Sequence, residues 1–340
     1  MHCWEIGPRG GIDSLRQSER PEPAPGPGEV VVRVAAAGLN YRDLMVLAGQ
    51  YGSGLPDTRI PLSDGVGTVA ALGSGVSGVS LGQRVIAPNF TGWRDGAFGP
   101  GLFGHDLGVT ADGWLADTIV LPATSLIAVP DSVSDATAAT LAVVGGTVWH
   151  AMVAFGEAGP GKLVLAQGTG GVSLFALQLG KALGAEFAIT SSRADKLERC
   201  RELGADHAID YRARPDWAAA LLEATGGRGA DVVVDTLGFP ALAETVTACA
   251  VEARIGTLGA LSGSPAATAS ASQGAIIGKN LTIKGIASGS RAMLAAALDV
   301  VARHKIEMVV DRRFAFAEAP AAYRHLESGA HIGKVLIEIV

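Results

Sequence analysis

Residues 162–184 place a glycine-rich turn between two apolar runs, in the order KLVLAQ, GTGGVS and SLFALQLGKALG. The first run has the length of a buried strand and the second that of a helix. The backbone N–H groups of such a turn lie at the N-terminus of the following helix, where they bind anions. The turn therefore predicts a dinucleotide pyrophosphate site rather than a purely structural bend. Its residues are Gly168, Thr169, Gly170, Gly171 and Val172, and Ser173 stands where the usual pattern has a third glycine.

The strand after this turn, EFAITS, ends without an acidic residue. Sequences that bind NAD carry an Asp or Glu about 20 residues after the first glycine, where it accepts a hydrogen bond from the adenosine ribose. Hydroxyl and basic side chains at this point would instead bind a ribose 2′-phosphate. The sequence therefore predicts NADPH, with the alternative that Ser191 caps a helix and the basic side chains face solvent. The residues concerned are Ser191, Ser192, Arg193 and Lys196.

The elements around these residues alternate between short apolar strands and helix-length segments. The predicted strands after KLVLAQ are EFAITS, HAIDY, DVVVDTLG, RIGTLGAL and LTIKGI. Repeated strand and helix order is typical of an α/β fold with a doubly wound parallel sheet. The first third has short apolar alternations separated by glycine- and proline-rich turns, which indicates a smaller β-rich domain. A chain of 340 residues is long enough for these two domains.

Composition excludes several classes of function. The net charge is −6 and no basic run is present, so nucleic-acid binding is not expected. The three cysteines, Cys3, Cys200 and Cys249, are too few and too far apart for a disulfide framework or a cysteine-rich metal lobe. The N-terminal residues do not show a basic region followed by an apolar stretch, and no apolar run reaches ~18 residues. We therefore expect a cytoplasmic protein with no membrane association.

Several motifs in order resemble the medium-chain dehydrogenase/reductase superfamily, and specifically its zinc-independent branch related to quinone oxidoreductases. The motifs are GLNYRDLMVLAGQY, PLSDGVGTVAALGSGV, GTGGVS, KLERCRELGADHAIDY and GKVLIEIV. The resemblance implies a GroES-like catalytic domain of residues 1–125 and 289–340 and a Rossmann domain of residues 126–288. It also implies a small-molecule substrate and a homodimer or homotetramer.

The resemblance assigns further residues to the cofactor. Lys196 and Tyr211 match the lysine and tyrosine that hold the 2′-phosphate in quinone reductases of the family, whereas Gly329 stands where some members have an additional arginine. Other positions match residues that line the nicotinamide or its ribose, although small residues there also suit sheet packing. These positions are Thr147, Leu258, Gly259, Ala260, Ser288 and Arg291.

The resemblance also indicates that no metal is bound. The positions of the catalytic zinc ligands are occupied by Asn40, by Ser63 followed by Asp64, and by Val143, and neither an amide nor a valine replaces a thiolate or imidazole in a tetrahedral zinc site. His105 and His150 lack the spacing of metal ligands.

Without a metal, hydrogen bonds must stabilise the negative charge that develops in the reaction, which favours hydride transfer to a quinone or an α,β-unsaturated carbonyl. The matching positions place Asn40, Tyr51 and Ser63 around the reacting oxygen, and we expect Arg42 to pair with Asp43. Two alternatives stay open: an NAD(P)-dependent alcohol dehydrogenase or aldehyde reductase of the same fold, and a nucleotide-binding structural or regulatory protein. The aromatic residues of segment 89–113 are interpreted as a lid, a dimer contact or a local core.

Overall fold

The computed structural model describes residues 1–7, 10–51, 55–259 and 271–339. The chain divides into two compact units. The first comprises Met1–Gly146 and Gly289–Val340, and the second comprises Thr147–Ser288. The first unit thus continues beyond residue 125, where the sequence-based boundary lies.

The secondary structure of the described residues alternates as the sequence patterns indicate. The strands are β1 His2–Glu5, β2 Arg16–Glu19, β3 Glu29–Leu39, β4 Asp64–Leu72, β5 Arg84–Ile86, β6 Thr118–Pro122, β7 Ile127–Ala128, β8 Leu163–Gln167, β9 Glu186–Ser191, β10 His207–Asp210, β11 Ala230–Asp235, β12 Cys249–Thr257, β13 Thr282–Gly285, β14 Val310–Ala315 and β15 Lys334–Glu338. The helices are α1 Tyr41–Leu47, α2 Asp135–Ala138, α3 Ala142–Val148, α4 Gly171–Ala182, α5 Ala194–Glu202, α6 Trp217–Ala224, α7 Leu242–Ala248, α8 Gln273–Gly278, α9 Arg291–His304 and α10 Ala319–Glu327. A π-helical turn at Trp149–Phe155 follows α3 directly.

A mixed sheet organises the first unit. Its strand order is β14-β15-β3-β4-β5-β7, and β6 also pairs with β3. The long central strand β3 is mostly buried and apolar, so it is covered on both faces. A Cβ atom at Gly38 of β3 would lie 2.5 Å from the carbonyl oxygen of Ala139, so only glycine allows the segment after α2 to approach the strand this closely. This close packing accounts for the place of residues 126–146 in the first unit.

The second unit contains a six-stranded parallel sheet in the order β10-β9-β8-β11-β12-β13. All five residues of β8 are buried, as expected for a strand with helices on both faces. The strand order reverses between β8 and β11, and doubly wound sheets bind ligands at the carboxyl ends of strands at such a point. The predicted α/β fold, a GroES-like β-rich domain plus a doubly wound parallel sheet, is confirmed.

Aromatic residues of segment 89–113 form a local core within the first unit. Phe90 and Trp93 are buried, and Phe98 makes edge-to-face contacts with both rings and with the half-exposed Phe103. The backbone carbonyls of Trp93 and Arg94 accept hydrogen bonds from the first residues of α9. Of the three interpretations of this segment, the local core is therefore the one that the structure shows.

None of the described helices combines the length and the apolar character that crossing a bilayer requires.

Candidate functional site

The glycine-rich turn joins β8 to α4 in the second unit. Gly168 has a φ of 77°, a conformation that favours glycine, and its N–H donates to the carbonyl of Thr190 at the end of β9. A Cβ atom at Gly168 or at Gly170 would meet nothing within 4 Å, so the space in front of the turn is open. Gly170 precedes the 12-residue helix α4 and provides no side-chain cap, which leaves the first N–H groups of the helix available to an anion.

Ser173 replaces the third glycine of the usual pattern without blocking this turn. Its hydroxyl donates to the carbonyl of Gln167 at 2.7 Å, and the Thr236 hydroxyl donates to the same carbonyl at 2.9 Å. The serine is therefore directed back onto β8 and links the ends of β8 and β11. The turn thus combines open space at Gly168 and Gly170 with a helix start that has no side-chain cap, and the pyrophosphate site stays a prediction.

The residues predicted to bind a 2′-phosphate lie at the ends of β9 and β10. Tyr211 donates its N–H to the carbonyl of Ser191 at 3.0 Å, so the two strand ends are adjacent. Lys196 is buried in the first turns of α5, and Tyr211 is 41% exposed. Arg193 precedes α5 and forms an exposed ion pair with Asp195, and Ser192 lies between it and the buried Ser191.

Further predicted cofactor residues follow β12. The N–H of Leu258 donates to the carbonyl of Asp235, and a Cβ atom at Gly259 would lie 2.3 Å from the carbonyl oxygen of Thr236. Glycine is thus required at position 259 by the close approach of the segment after β11. Ala260 lies outside the described residues.

Thr147 and Ser288, the two ends of the second unit, are both buried. The Ser288 carbonyl lies 2.7 Å from Nδ1 of His150, and Nε2 of the same ring lies 3.0 Å from the Lys284 ammonium. Because Lys284 can only donate, His150 is neutral, with its proton on Nδ1. Burial lowers the pKa of His150, which agrees with this state. Arg291, assigned to the cofactor by resemblance, lies in the first unit and donates twice to the carbonyl of Leu126.

The first unit brings together residues that are distant in sequence around Asn40. Asn40 precedes α1, and its side-chain Nδ2 donates to Oδ2 of Asp64 at 2.9 Å. Lys334 donates from Nζ to Oδ1 of Asn40 at 2.6 Å and to Oδ2 of Asp64 at 3.1 Å. The second oxygen of Asp64 accepts from the backbone N–H of Val143 at 2.7 Å. We call Asn40, Asp64 and Lys334 the Asn40 cluster; all three residues are buried.

Asp43 lies beside this cluster and caps α1. Its Oδ2 accepts the backbone N–H of Asn40 at 2.7 Å, an arrangement that satisfies a free donor at the helix N-terminus. Burial raises the pKa of Asp43 to about 7, with Asp64 acting in the same direction and Arg42, the Asn40 N–H and Lys334 opposing it. Asp43 therefore exchanges a proton near neutral pH.

Arg42 pairs with Asp106 rather than with Asp43, so the expected pair is wrong. The distance from Nη2 to Oδ2 is 2.5 Å, and both side chains are largely buried. Asp106 also accepts from the Asn89 amide at 3.0 Å. Asp43 accepts the Asn40 N–H at the start of α1, whereas Asp106 in segment 89–113 accepts from Arg42.

Tyr51 is positioned by Arg42, whose guanidinium lies 4.6 Å from the centre of the tyrosine ring. Burial raises the pKa of Tyr51, so the phenol stays protonated at neutral pH. No group in the described part of the chain hydrogen-bonds to its hydroxyl. Ser63, in contrast, is fully buried and donates its hydroxyl to the carbonyl of Leu107 at 2.9 Å. Its hydrogen is therefore not available to a substrate in this structure.

The donors at the positions of the family's zinc ligands do not fit a zinc ion. Both oxygens of Asp64 and the Oδ1 atom of Asn40 already accept hydrogen bonds, and Ser63 is directed to a backbone carbonyl. Val143 contributes only its N–H, which cannot ligate a cation. Among the described residues, no three His, Cys, Asp or Glu side chains are grouped so that they could hold a metal.

Sequence reasoning missed Lys334 and Asp106. Lys334 begins the strand KVLIE and is followed by three apolar residues, and a lysine next to such a buried run was a signal for a buried partner. Asp106 lies in a segment without regular periodicity, and no local feature pointed to Arg42.

Two protein-family models match the chain. The alcohol dehydrogenase GroES-like domain matches residues 26–131, and the zinc-binding dehydrogenase matches residues 171–303.

Curated proteins match almost the whole chain. A zinc-type alcohol dehydrogenase-like protein of Schizosaccharomyces pombe is 36% identical over 97% of this chain and 96% of its own length. Acryloyl-coenzyme A reductase of Sulfurisphaera tokodaii is 29% identical over 98% of both chains. A phenolphthiocerol/phthiocerol polyketide synthase protein of Mycobacterium tuberculosis is 35% identical over 98% of this chain, which spans only 15% of that protein.

Solved structures share the fold over the full length. An NAD-dependent alcohol dehydrogenase is 33% identical with a TM-score of 0.90, and each chain is covered completely. A mycobacterial quinone oxidoreductase is 26% identical with a TM-score of 0.80, again with complete coverage of both chains. A mycobacterial protein complexed with NADPH is 27% identical with a TM-score of 0.82 over all of both chains.

Proposed function

Because the chain belongs to the medium-chain dehydrogenase/reductase superfamily and is an oxidoreductase of that family, we propose that it reduces a quinone or an α,β-unsaturated carbonyl compound with NADPH and without zinc. The observation that carries this proposal is the Asn40 cluster. At two of the positions that match the metal site of zinc-dependent relatives, this chain has the Asn40 amide and the Asp64 carboxylate, and the ammonium of Lys334 donates to both.

Two features of the second unit support NADPH as the cofactor. The turn at Gly168 and Gly170 leaves open space before α4, as a pyrophosphate requires. The adjacent ends of β9 and β10 carry Ser191 and Tyr211, with Lys196 following on α5, and β9 ends without the acid that NAD-binding sequences carry. NADPH would supply the hydride, and these residues would hold and orient it.

Asn40 and Tyr51 are the groups that we assign to the substrate oxygen. Asn40 uses one Nδ2 hydrogen on Asp64, and no described residue accepts the other. Tyr51 retains a protonated hydroxyl. Two donors directed at an oxygen on which negative charge develops lower the barrier without a metal, because they stabilise the transition state more than the neutral substrate.

The chemistry of the acceptor explains why quinones and enones are preferred to alcohols. Hydride addition to a quinone or to a conjugated alkene leaves a phenolate or an enolate, both of which are weakly basic and are stabilised by hydrogen bonds. Oxidation of an alcohol requires an alkoxide, which is far more basic and is normally stabilised by a Lewis acid. Acryloyl-coenzyme A is itself an α,β-unsaturated carbonyl compound, and the reductase named for it is among the relatives of this chain.

The test is NADPH oxidation by the purified protein with a small quinone, an enone, an enoyl thioester and an aldehyde as acceptors. Each assay is repeated with NADH and with a chelator. We expect turnover of the quinone or an enone compound that prefers NADPH and is unaffected by the chelator. Chelator-sensitive turnover of the aldehyde alone would instead identify an alcohol dehydrogenase, and tight NADPH binding without turnover would identify a regulatory protein.

Tyr51→Phe tests the assignment of the hydroxyl within the same assay. We expect kcat to fall by about 100-fold, the usual effect of losing one donor to a developing oxyanion, with NADPH affinity unchanged. Tyr41→Phe is the matched control, because Tyr41 is a half-exposed tyrosine at the start of α1. Equal effects of the two substitutions would remove Tyr51 from the site.

A further inference from the structure

Lys334 is a buried lysine whose position is set by the sheet of the first unit. Strand β15 pairs with β3 so that Val335 lies opposite Leu39, and β3 pairs with β4 so that Gly38 lies opposite Asp64. The next residues in these registers are Lys334 and Asn40. Three neighbouring strands therefore bring a lysine, an asparagine and an aspartate to one end of the sheet.

The ammonium determines which way the Asn40 amide is oriented. A lysine ammonium only donates hydrogen bonds, so the atom of Asn40 that lies 2.6 Å from Nζ must be the carbonyl oxygen. The Nδ2 atom is thereby directed to Asp64, and Asp64 is a carboxylate that only accepts. Two charged groups of opposite sign thus hold the two ends of one amide in a single orientation.

Burial shields the charged groups of this arrangement from water. The side chain of Lys334 is 3% exposed and that of Asp64 is 0% exposed, so water does not compete for either group. Neither charge is stable there without the other, since an isolated ion in a protein interior is strongly disfavoured. The two charges therefore stabilise each other in the folded first unit and fix the groups that Asn40 contacts.

We propose that Lys334 is a positioning residue for the reaction, which holds the Asn40 amide so that its remaining N–H donates to the substrate oxygen. This inference rests on the proposed function and extends it to a residue on the last strand. The ammonium also polarises the amide, because a charged donor on the carbonyl oxygen makes the N–H a stronger donor.

The test uses a double substitution, Lys334→Met with Asp64→Asn. Replacing Lys334 alone leaves Asp64 buried without its counter-charge and destabilises the fold, whereas the double variant removes both charges and keeps the volumes similar. Asn at position 64 still accepts the Val143 N–H, and its amide nitrogen then faces Asn40. Asn40 is expected to turn its oxygen toward that nitrogen, so its N–H is no longer correctly directed.

The expected kinetic result is a fall in kcat of at least about tenfold. The dissociation constant for NADPH should be unchanged, because the glycine-rich turn proposed to bind the pyrophosphate lies in the second unit. The matched control is Arg313→Met with Glu338→Gln, which removes an exposed ion pair that includes a residue of the same strand β15. The control is expected to leave kcat unchanged. An unchanged kcat in the Lys334 variant, with folding intact by circular dichroism, overturns the proposal.

A second readout does not depend on turnover. The side-chain amide signals of Asn40 are assigned by NMR through their loss in Asn40→Ala, and are compared between the wild type and the double variant. We expect a clear change in both amide proton shifts in the Lys334 variant and none in the control. Unchanged amide proton shifts in the double variant overturn the positioning role of Lys334. A wild type without activity on any acceptor would instead refute the proposed function, and the amide proton shifts would then still decide whether Lys334 orients Asn40.

Discussion

At the level of single residues, the described part of the first unit contains three buried acids, and the bases beside them form ion pairs with only two of the three. Asp43, Asp64 and Asp106 lie in the same region as Arg42 and Lys334. Lys334 pairs with Asp64 and Arg42 with Asp106, whereas no basic side chain in the described part of the chain forms an ion pair with Asp43. Burial raises the pKa of Asp43 to about 7, because the charged carboxylate is no longer stabilised by water.

Asp43→Asn is therefore expected to change how stability depends on pH. The unfolded chain releases this proton above about pH 4, whereas the folded protein retains it to about pH 7. The folded state binds more protons in this window, so the free energy of unfolding falls as the pH rises, by at most about 1.4 kcal/mol per pH unit. Asp43→Asn removes this contribution and can still accept the Asn40 N–H.

Urea denaturation at several pH values across this window measures the effect. The stability of the wild type should decline relative to Asp43→Asn as the pH rises. Asp57→Asn, at an exposed aspartate of the same unit, is the control and should follow the wild type. Parallel pH profiles for the wild type and Asp43→Asn would show that Asp43 has an ordinary pKa.

At the level of elements, segment 89–113 is attached to α1 by the pair of Arg42 and Asp106. Burial raises the pKa of Asp106, and Arg42 and the Asn89 amide oppose this rise. The pair also supports Tyr51 through the contact between the guanidinium and the ring. Segment and helix are thus connected through a charge pair that solvent barely reaches.

Asp106→Asn should destabilise the protein strongly, because it leaves the buried Arg42 without a counter-charge. We expect a loss of about 3 kcal/mol in the free energy of unfolding, measured by urea denaturation. Asp299→Asn breaks the exposed pair with Arg303 on α9 and should cost less than about 0.5 kcal/mol. Similar losses in the two variants would contradict the importance of burial at Asp106.

At the level of the whole molecule, the three cysteines are distributed over both units and all are buried. Burial raises the pKa of Cys200 to about 11 and that of Cys249 to about 12, and it also raises the pKa of Cys3. Thiolates, which are the reactive form, are therefore scarce in the folded protein.

The predicted homodimer or homotetramer stays a prediction.

Thiol reactivity should accordingly report unfolding of the molecule. We expect a thiol reagent at about pH 8 to label none of the cysteines of the native protein on the timescale on which it labels free cysteine. In denaturant all three should react, as counted by absorbance or mass. Rapid labelling of any one of them without denaturant would show that its unit opens locally.

The strands of the doubly wound sheet and the glycine-rich turn between β8 and α4 could be predicted from local sequence. Apolar runs such as LVLAQ and VVVD are buried because of their own composition, and the turn from Gly168 to Val172 needs only backbone geometry and the helix that follows. The turn and the two elements that flank it lie within about 20 residues of one another, and each strand of the sheet is recognised from its own composition. Local pattern therefore contains enough information to predict them.

The Asn40 cluster depended on tertiary structure. Asn40 directly follows strand β3, and Asp64 and Lys334 are the first residues of β4 and β15, so only the pairing of these strands makes the three residues neighbours. The choice of Asp106 over Asp43 as the partner of Arg42 has the same origin, since a charged side chain pairs with whichever opposite charge is buried beside it. Sequence patterns record which side chains are apolar and how they are spaced, whereas a buried charge is stabilised by partners that the fold alone brings within hydrogen-bonding distance.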